Sequence, residues 1–312
     1  MGLDPSVFSR TYDVVGDIHG HADALHRLLG MLGYAETNGA FSHPERTMLF
    51  VGDFVDRGPD QREVLRVVRA MCDWGSARAV LGNHEFNAIG WITPDGSGDY
   101  LREHSEPHER QHTVFLAQLG EGSDEHHSAI RWFKTLPVWL DLPGLRIVHA
   151  CWHEPSCRAL LPCLDERGCL TEAGLRESFR KGSPAAEAAE ILLKGPEEHL
   201  PDGLSFFDKD GHERQEVRVR WWDDSANTFK RAALGMEGRE HELPDAELPV
   251  LFRYRETKPV FFGHYWLQGK PRLTAPKAAC LDFSVAKGGY LTGYRWSGES
   301  SLDERNLVWA RA

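Results

Sequence analysis

The sequence predicts an α/β fold built on parallel strands, because short apolar runs alternate with helical repeats in its first third. Three apolar runs, at residues 12–15, 47–51 and 77–81, are each followed or closed by a glycine and indicate buried strands. A segment with helical apolar spacing separates each strand from the next. This βαβαβ order implies parallel strands joined by right-handed crossovers.

Two helices are predicted between these strands. The first ends at Gly33, a typical C-cap residue, and the second begins at Asp60, with Glu63 three residues later as in a capping box. Their apolar faces consist of Leu25, Leu28, Leu29 and Leu32 in the first helix, and of Val64, Leu65, Val68 and Met71 in the second.

The remainder of the chain is predicted to continue the same domain, which spans residues 1–312. Residues 86–141 are polar with helical spacing and are predicted to form a helical insertion within it. Further strands are predicted at 145–148, 216–221 and 259–262, one or two helices in 172–193 broken by Gly182 and Pro184, and three short strands in 279–310 with a turn at Gly288-Gly289.

Composition excludes several classes of protein. The net charge of −11 argues against extended nucleic acid as a partner, since such partners need a basic surface. A small phosphorylated substrate stays compatible with it, because bound metal ions reverse the field locally. No run reaches the roughly 20 apolar residues of a membrane helix, and the first ten residues resemble no secretory signal. We therefore expect a cytoplasmic protein that does not bind membranes.

The six cysteines are expected to be reduced, because no export signal is recognised. Four of them, Cys151, Cys157, Cys163 and Cys169, recur every six residues. Structural zinc sites favour pairs two to four residues apart, so this spacing indicates buried thiols, with a structural metal or a disulfide as the alternative.

Polar motifs follow the predicted strands at their carboxyl ends, where functional groups gather in parallel sheets. The motifs are Gly16-Asp17-Ile18-His19-Gly20, Gly52-Asp53-Phe54-Val55-Asp56-Arg57-Gly58 and Gly82-Asn83-His84-Glu85, and two later strands end in His149 and Gly263-His264. Oxygen and imidazole donors of this kind suit Mn, Fe, Zn or Mg ions. Each motif alone is ordinary turn or core chemistry, but together they predict a metal site.

These motifs, in this order, resemble the phosphoprotein-phosphatase-type branch of the calcineurin-like metallophosphoesterases. The resemblance implies a two-sheet β-sandwich flanked by helices, with two divalent metal ions, Mn²⁺ first among them, at one sheet edge. It implies Asp17 and His19 as ligands of the first metal, Asp53 as the bridge, and Asn83, His149 and His264 as ligands of the second. It further implies His84 as the general acid, Asp56 as the residue that orients it, and Arg57 as a clamp on the substrate phosphate.

The last motif departs from the wider superfamily. Many members carry Gly-His-x-His there, whereas this chain has Trp266 at the second histidine position. Tryptophan cannot ligate a metal, so the first metal would keep open positions for water or phosphate. This feature is similar to the protein-phosphatase branch and unlike most nucleases and cyclic-nucleotide diesterases.

The chemistry implied is direct hydrolysis by a hydroxide that bridges the two metals. The metals and Arg57 would stabilise charge on the equatorial oxygens, and protonation by His84 would contribute roughly 10²–10⁴-fold. Arg220 is the candidate for a second phosphate-binding arginine, since it alternates with Arg218 on one strand face. Solvated strand arginines would give the same pattern. Arg102, His104 and His112 are possible leaving-group contacts, with ordinary surface residues as the alternative.

Three functions fit this pattern. The first is a phosphatase acting on phosphoprotein or small phosphomonoesters. The second is a symmetrical dinucleoside tetraphosphate pyrophosphohydrolase, which needs an aromatic or arginine platform for the base. Trp91, Trp152 and Trp222 could supply that platform or belong to the core. The third is an inactive binding module, which predicts loss of a ligand or of His84, and none is missing.

Overall fold

Two β-sheets form the centre of the fold, in a computed structural model that describes residues 11–207, 213–236, 238–248 and 252–312. The expectation for the first ten residues lies outside this part of the chain. The strands are β1 (Thr11–Val15), β2 (Ala35–Thr37), β3 (Ala40–Ser42), β4 (Arg46–Phe50), β5 (Ala77–Ala79), β6 (Trp139–Asp141), β7 (Arg146–Val148), β8 (Glu197–His199), β9 (Phe206–Phe207), β10 (Glu213–Arg214), β11 (Glu216–Val219), β12 (Ala233–Leu234), β13 (Val260–Phe262), β14 (Ala278–Cys280), β15 (Asp282–Phe283), β16 (Tyr290–Trp296) and β17 (Leu307–Arg311). The α-helices are α1 (Ala22–Met31), α2 (Gln61–Trp74), α3 (Asn83–Ile92), α4 (Glu106–Leu119), α5 (Asp124–Phe133), α6 (Glu154–Leu160), α7 (Glu172–Phe179), α8 (Pro184–Lys194) and α9 (Phe229–Ala232).

The two sheets have the topology of a sandwich. The larger sheet has the order β15-β16-β1-β4-β5, with β17 also paired to β16. Its strands β1, β4 and β5 are parallel, as the βαβαβ pattern predicts. The smaller sheet has the order β14-β13-β7-β6, and β13 is parallel to both of its neighbours. The α/β class and the two-sheet architecture are therefore confirmed.

The sandwich core follows from side-chain alternation along the strands. Tyr12 and Val14 of β1 belong to the same buried cluster as Ile147 and Phe261 of the smaller sheet, whereas Val15 belongs to the cluster under the helices. Successive side chains of a strand point to opposite faces, so β1 serves two cores at once. Each such large side chain stabilises the fold by about 1.5–3 kcal/mol when fully buried.

The tail forms four strands where the sequence predicts three. The apolar run at 278–283 is split at Leu281, so that β14 joins the smaller sheet and β15 joins the larger one. Periodicity cannot show this split, because both pieces are buried and the chain simply passes from one sheet to the other.

The segment at 86–141, predicted as helical, contains most of α3 and all of α4 and α5, but its last residues form β6. Helix α3 begins at Asn83, and three residues separate it from the end of β5 at Ala79. The N-terminus of α2 is as predicted, since the Asp60 side chain accepts a hydrogen bond from the Glu63 N–H at 3.0 Å. The extent of the domain and of the insertion stays a prediction.

Strands β8, β11 and β12 form a third, antiparallel sheet beside the sandwich, which we call the side sheet. It has an apolar cluster of its own, formed by Leu200, Val217, Phe229, Ala233, Met236 and Leu243. The structure therefore provides a second wall for any cleft that opens at the sandwich edge.

The predicted cysteine environment is confirmed. All six cysteines are free thiols, and all but Cys72 are buried. Burial raises the pKa of Cys151 well above its usual range. Within the described ranges, no helix has the length and apolar character needed to cross a bilayer.

Candidate metal centre

Five strands from the two sheets deliver the predicted metal ligands to one edge of the sandwich. Asp17 follows β1, Asp53 follows β4 and Asn83 follows β5, all in the larger sheet. His149 follows β7 and His264 follows β13 in the smaller sheet. Because the strands within each set are parallel, their carboxyl ends meet, and residues far apart in sequence become neighbours.

Glycines allow these loops to approach each other. A Cβ atom at Gly52 would lie 2.6 Å from the Cα atom of Gly82, so the second and third motifs touch through their glycines. A Cβ atom at Gly263 would lie 1.7 Å from Asp17 Oδ1. Any side chain at these positions would separate the loops that carry the ligands.

The ligand loops hold strained backbone. Five predicted site residues have left-handed φ values, namely His19 (45°), Asp53 (54°), Asp56 (69°), Arg57 (71°) and His264 (75°). Such conformations cost about 1–3 kcal/mol each for non-glycine residues and persist where the surrounding structure imposes them. Strain concentrated in this way is typical of a functional site.

Two groups of buried donors lie at the edge, with ligand atoms within 4.8 Å of one another. The first consists of His19, Asp53 and His84, and the second of Asp53, His149 and His264. Asp53 is common to both, in agreement with its predicted bridging position. The first group contains His84 in the place where the prediction has Asp17, although Asp17 Oδ2 accepts from the His264 N–H at 2.8 Å and is therefore adjacent.

Several of these donor atoms are free to bind a cation. Asp17 Oδ1, His19 Nε2 and His264 Nε2 are buried and have no hydrogen-bond partner in the described part of the chain. The other ring nitrogen of His19 is used, since Nδ1 lies 3.0 Å from the Val55 carbonyl oxygen. A buried polar atom without a partner costs about 1–3 kcal/mol, so three such atoms in the loops at this edge of the sandwich fit a site for divalent metal ions.

Carboxylates at the site repel one another in the absence of a cation. Burial, and then the nearby charge of Asp282, raise the pKa of Asp17 well above its usual range. Burial would also raise the pKa of Asp53, but His149 and His84 hold it well below the usual range. A pair of divalent ions would neutralise these carboxylates together.

The two histidines of the opposite ligand groups differ in charge. Burial, followed by repulsion from His84, lowers the pKa of His19 to about 3, so its Nε2 keeps a lone pair. Burial would lower the pKa of His149, but the Asp53 carboxylate raises it to about 10. His149 Nε2 lies 3.4 Å from Asp53 Oδ1 and 2.9 Å from Asn83 Oδ1. A metal ion bound at His149, as the sequence predicts, would therefore take the place of a proton.

The predicted acid and its orienting carboxylate are in contact. His84 Nδ1 lies 2.5 Å from Asp56 Oδ2, and both residues are buried. The free edge of the ring points towards the metal ligands, with Nε2 3.9 Å from Asp53 Oδ2. Burial alone would raise the pKa of Asp56, yet His112 and His84 hold it well below its usual range.

The sequence suggests His112 only as a possible leaving-group contact, but the residue lies against Asp56. Its Nδ1 is 2.9 Å from Asp56 Oδ2 and 3.1 Å from Oδ1. The neighbouring Gln111 places its amide nitrogen 3.2 Å from His84 Nδ1. Two residues of helix α4 therefore contact His84 and its carboxylate partner Asp56. Fifty-six positions separate Asp56 from His112, and no local pattern signals a contact over that distance.

The other two candidates from this region behave differently. Arg102 Nη2 donates to Gln111 Oε1 at 2.8 Å and so joins the support of His84 indirectly. His104 stacks between Trp91 at 3.7 Å and Tyr100 at 4.3 Å, and its Nε2 lies 2.8 Å from the Trp91 carbonyl oxygen. Its role is packing of the α3–α4 connection.

A cleft of about 900 Å³ opens beside the ligands, between the sandwich edge and the side sheet. Its charged lining residues are six cations, Arg57, Arg214, Arg218, Arg220, Arg272 and Lys287, and four carboxylates, Glu197, Glu213, Glu216 and Glu240. Arg57 lies over the Trp266 ring, with Cζ 4.3 Å from the centroid. Arg218 and Arg220, the pair predicted from the strand, both line the cleft. There Arg220 Nη1 donates to the Arg231 carbonyl oxygen at 2.9 Å, and Arg218 Nε lies 3.4 Å from Glu197 Oε1.

The three tryptophans considered as base platforms are core residues. Trp91, Trp152 and Trp222 have exposed fractions of 5%, 2% and 7%. Trp266, by contrast, lines the cleft and stacks on His19 with the ring centroids 5.5 Å apart. Part of the aromatic lining of the cleft, which also includes Phe206 and Tyr265, thus comes from the position where the superfamily often has a second histidine.

The model of the calcineurin-like phosphoesterase family matches residues 11–170, just over half of the 312-residue chain. The chain belongs to the calcineurin-like phosphoesterase family.

Named relatives fall into two groups. Symmetrical bis(5'-nucleosyl)-tetraphosphatases match along the chain: that of Vibrio parahaemolyticus is 27% identical over 306 residues (94% of this chain, 98% of the relative), and that of Delftia acidovorans 26% over 317 residues (94% of each). An asymmetrical bis(5'-nucleosyl)-tetraphosphatase of Halalkalibacterium halodurans is 45% identical over 74 residues, 23% of this chain. The chain matches only 30% of the length of that relative.

Two solved structures show the same fold. A putative diadenosine tetraphosphatase has a TM-score of 0.50 at 18% identity, covering 99% of this chain and 96% of its own. A protein serine/threonine phosphatase from Saccharomyces cerevisiae has a TM-score of 0.50 at 16% identity, covering 98% and 81%. At this level of identity, the likeness is one of fold.

Proposed function

We propose that this phosphoesterase hydrolyses a phosphoanhydride bond of nucleoside polyphosphates, with dinucleoside tetraphosphates as the first substrates to test. The observation that carries this proposal is the cleft lined by Arg57 and Trp266, which has more arginine and lysine than glutamate residues in its lining and a volume larger than a single phosphate requires. The similarity to symmetrical tetraphosphatases over 94% of the chain supports it. The order of the two leading hypotheses from the sequence is thus reversed.

The ligand assignment is part of the proposal. Asp17 and His19 would hold the first metal, Asp53 would bridge, and Asn83, His149 and His264 would hold the second. The unpartnered oxygen and ring nitrogens among them fit this role. Bound divalent ions, Mn²⁺ being the first to test, would supply an activated water molecule and polarise the phosphate.

Protein side chains would bind the phosphate groups and donate the proton. Arg57, exposed at the mouth of the cleft, would clamp the phosphate that reacts. His84 would donate a proton to the departing oxygen, and Asp56 would hold its ring in the donating orientation. Arg220 stays the predicted second phosphate contact from the side sheet, with Arg218 beside it in the same lining.

A phosphomonoesterase, acting on phosphoprotein or small phosphoesters, is the second candidate. The observation that favours it is the buried contact between His84 and Asp56 at 2.5 Å. A strongly oriented acid matters most when the leaving group is a poor one such as an alkoxide, and matters less for a nucleoside phosphate.

A substrate panel with added Mn²⁺ separates the two. We expect diadenosine tetraphosphate to be cleaved with a higher kcat/KM than para-nitrophenyl phosphate or a phosphopeptide. Formation of two ADP molecules per dinucleotide indicates symmetrical cleavage, whereas formation of ATP and AMP in equal amounts indicates asymmetrical cleavage. Turnover of the phosphopeptide with no turnover of the dinucleotide would refute the proposal in favour of the second candidate.

Metal analysis of Asp53→Asn tests the bridging assignment separately. We expect this variant to retain less metal than the wild-type protein, because it removes a charged donor common to both groups. The matched control is Asp23→Asn, at an exposed residue in the first turn of α1. Two metals bound equally by both variants would contradict the bridge.

A further inference from the structure

We infer that Lys287, held near the ring of Trp266 that also carries the phosphate clamp Arg57, forms a subsite for a second phosphate group next to the phosphate that reacts. The substrate class would then be molecules with at least two consecutive phosphates. The inference rests on the proposed function only in placing the reacting phosphate at the donor groups. We call these three residues the cation–ring cluster.

The ring of Trp266 connects two cations to the metal site. Arg57 Cζ lies 4.3 Å from the ring centroid and Lys287 Nζ lies 4.9 Å from it. The same ring stacks on His19, with centroids 5.5 Å apart and an interplanar angle of 29°. The two positive charges are therefore adjacent to a proposed metal ligand and arranged around one rigid group.

A single buried carboxylate fixes the cluster. Asp282, 2% exposed, accepts hydrogen bonds from the Trp266 N–H at 2.6 Å and from the Ser284 N–H at 2.9 Å. Ser284 in turn accepts through its carbonyl oxygen from the Lys287 N–H at 2.8 Å. The backbone segments of Trp266 and Lys287 thus share one anchor, which keeps the ammonium group near the ring.

Lys287 is a cation without a carboxylate partner in the described part of the chain. Its Nζ lies against the ring of Trp266. Its side chain is exposed and lines the cleft together with Arg220 and Arg272. A fixed cation in a cleft raises the local concentration of anions and binds them more strongly than a ring does.

The position of this charge selects a polyphosphate. When a phosphate is held at the donor groups and clamped by Arg57, only the group attached to that phosphate can extend into the cleft. In a polyphosphate, the attached group is another phosphate, which carries negative charge directly beside the reacting one. An acidic peptide next to a phosphoserine is the other anion that such a cation could meet, and the test below separates the two.

The test compares Lys287→Met with Lys270→Met. Lys270 Nζ lies 5.3 Å from the centroid of Trp309, so the control loses the same kind of cation–ring contact at an exposed position elsewhere. For each protein, the inhibition constants of inorganic tripolyphosphate and of orthophosphate are measured against para-nitrophenyl phosphate hydrolysis, at one fixed concentration of free Mn²⁺.

We expect the wild-type protein to bind tripolyphosphate more tightly than orthophosphate. Lys287→Met should reduce this preference about ten-fold or more, the loss expected for one charge-assisted contact. Lys270→Met should leave it unchanged, and Trp266→Leu should reduce it because Arg57 and Lys287 lose their common support. An unchanged preference in Lys287→Met, or no preference in the wild-type protein, overturns the inference. A larger effect of Lys287→Met on an acidic phosphopeptide than on tripolyphosphate overturns it as well.

Failure of the subsite and failure of the proposed function give different results. If diadenosine tetraphosphate is not cleaved but the preference for tripolyphosphate depends on Lys287, the subsite stands and the proposed reaction does not. If the dinucleotide is cleaved and Lys287→Met changes neither its KM nor the preference, the reaction stands and the subsite does not. Thermal unfolding of each variant shows that the exposed substitutions leave the fold intact.

Discussion

The carboxylate of Glu85 holds the backbone of Asp53, since Glu85 Oε2 accepts a hydrogen bond from the Asp53 N–H at 2.9 Å. The same side chain accepts from the N–H groups of Phe54 at 2.8 Å and Gly82 at 3.2 Å, and it is completely buried. One residue of α3 thereby fixes the loop of the second motif against the third. The proposed bridging ligand depends on this contact for its position.

Glu85→Gln should weaken both the fold and the metal site. The amide has only one accepting oxygen, so at least one backbone N–H of the Asp53 loop loses its partner in a buried place. We expect a loss of about 1–3 kcal/mol in the free energy of unfolding and a lower metal content, measured by thermal unfolding and elemental analysis. The control is Glu166→Gln, an exposed residue. Metal content and stability equal to the wild-type protein would show that Glu85 is dispensable.

His112 should act on turnover through Asp56. His112→Leu removes the donor 2.9 Å from Asp56 Oδ2, and His112→Asn keeps a donor near the same position. We expect kcat to fall about ten-fold in the leucine variant, a part of the 10²–10⁴-fold that acid catalysis supplies. KM and metal content should change little, and the asparagine variant should recover much of the loss. Equal impairment of both variants would indicate a packing role only.

Local patterns predict much of the fold and of the ligand set, because each feature lies within a few residues. The glycine after β4, the donor Asp53 and the positive φ of that residue all belong to one strand-end loop. The contacts that the sequence could not predict join residues that lie far apart in the chain. Asp56 meets His112 from another helix, and Trp266 meets Lys287 because Asp282 anchors both segments. Such contacts arise only when two sheets and an added helix close on each other.

His84→Ala should separate substrates according to their leaving groups. We expect metal content to be retained, because the ring contributes a proton and not a ligand in the proposed mechanism. Turnover of an alkyl phosphate should fall by about 10²–10⁴-fold, and that of para-nitrophenyl phosphate, whose leaving group is good, should fall less. Steady-state kinetics with both substrates measures the difference. Equal losses on the two, or loss of a metal, would argue against the acid assignment.

Metal binding should release a proton from His149. Asp53 raises the pKa of this histidine to about 10, against burial, so it is protonated at pH 8 in the metal-free protein. Its protonated form stabilises that protein fully below its unfolded pKa of about 6.5, and this contribution is lost as pH rises through 10. A metal ion takes the place of the proton, so metal affinity should rise up to ten-fold per pH unit between about 6.5 and 8.5. Calorimetric titration with Mn²⁺ in buffers of different ionisation enthalpy counts the protons released. An affinity that is flat with pH, with no proton released at pH 8, would mean that His149 is already neutral or that it does not bind the metal.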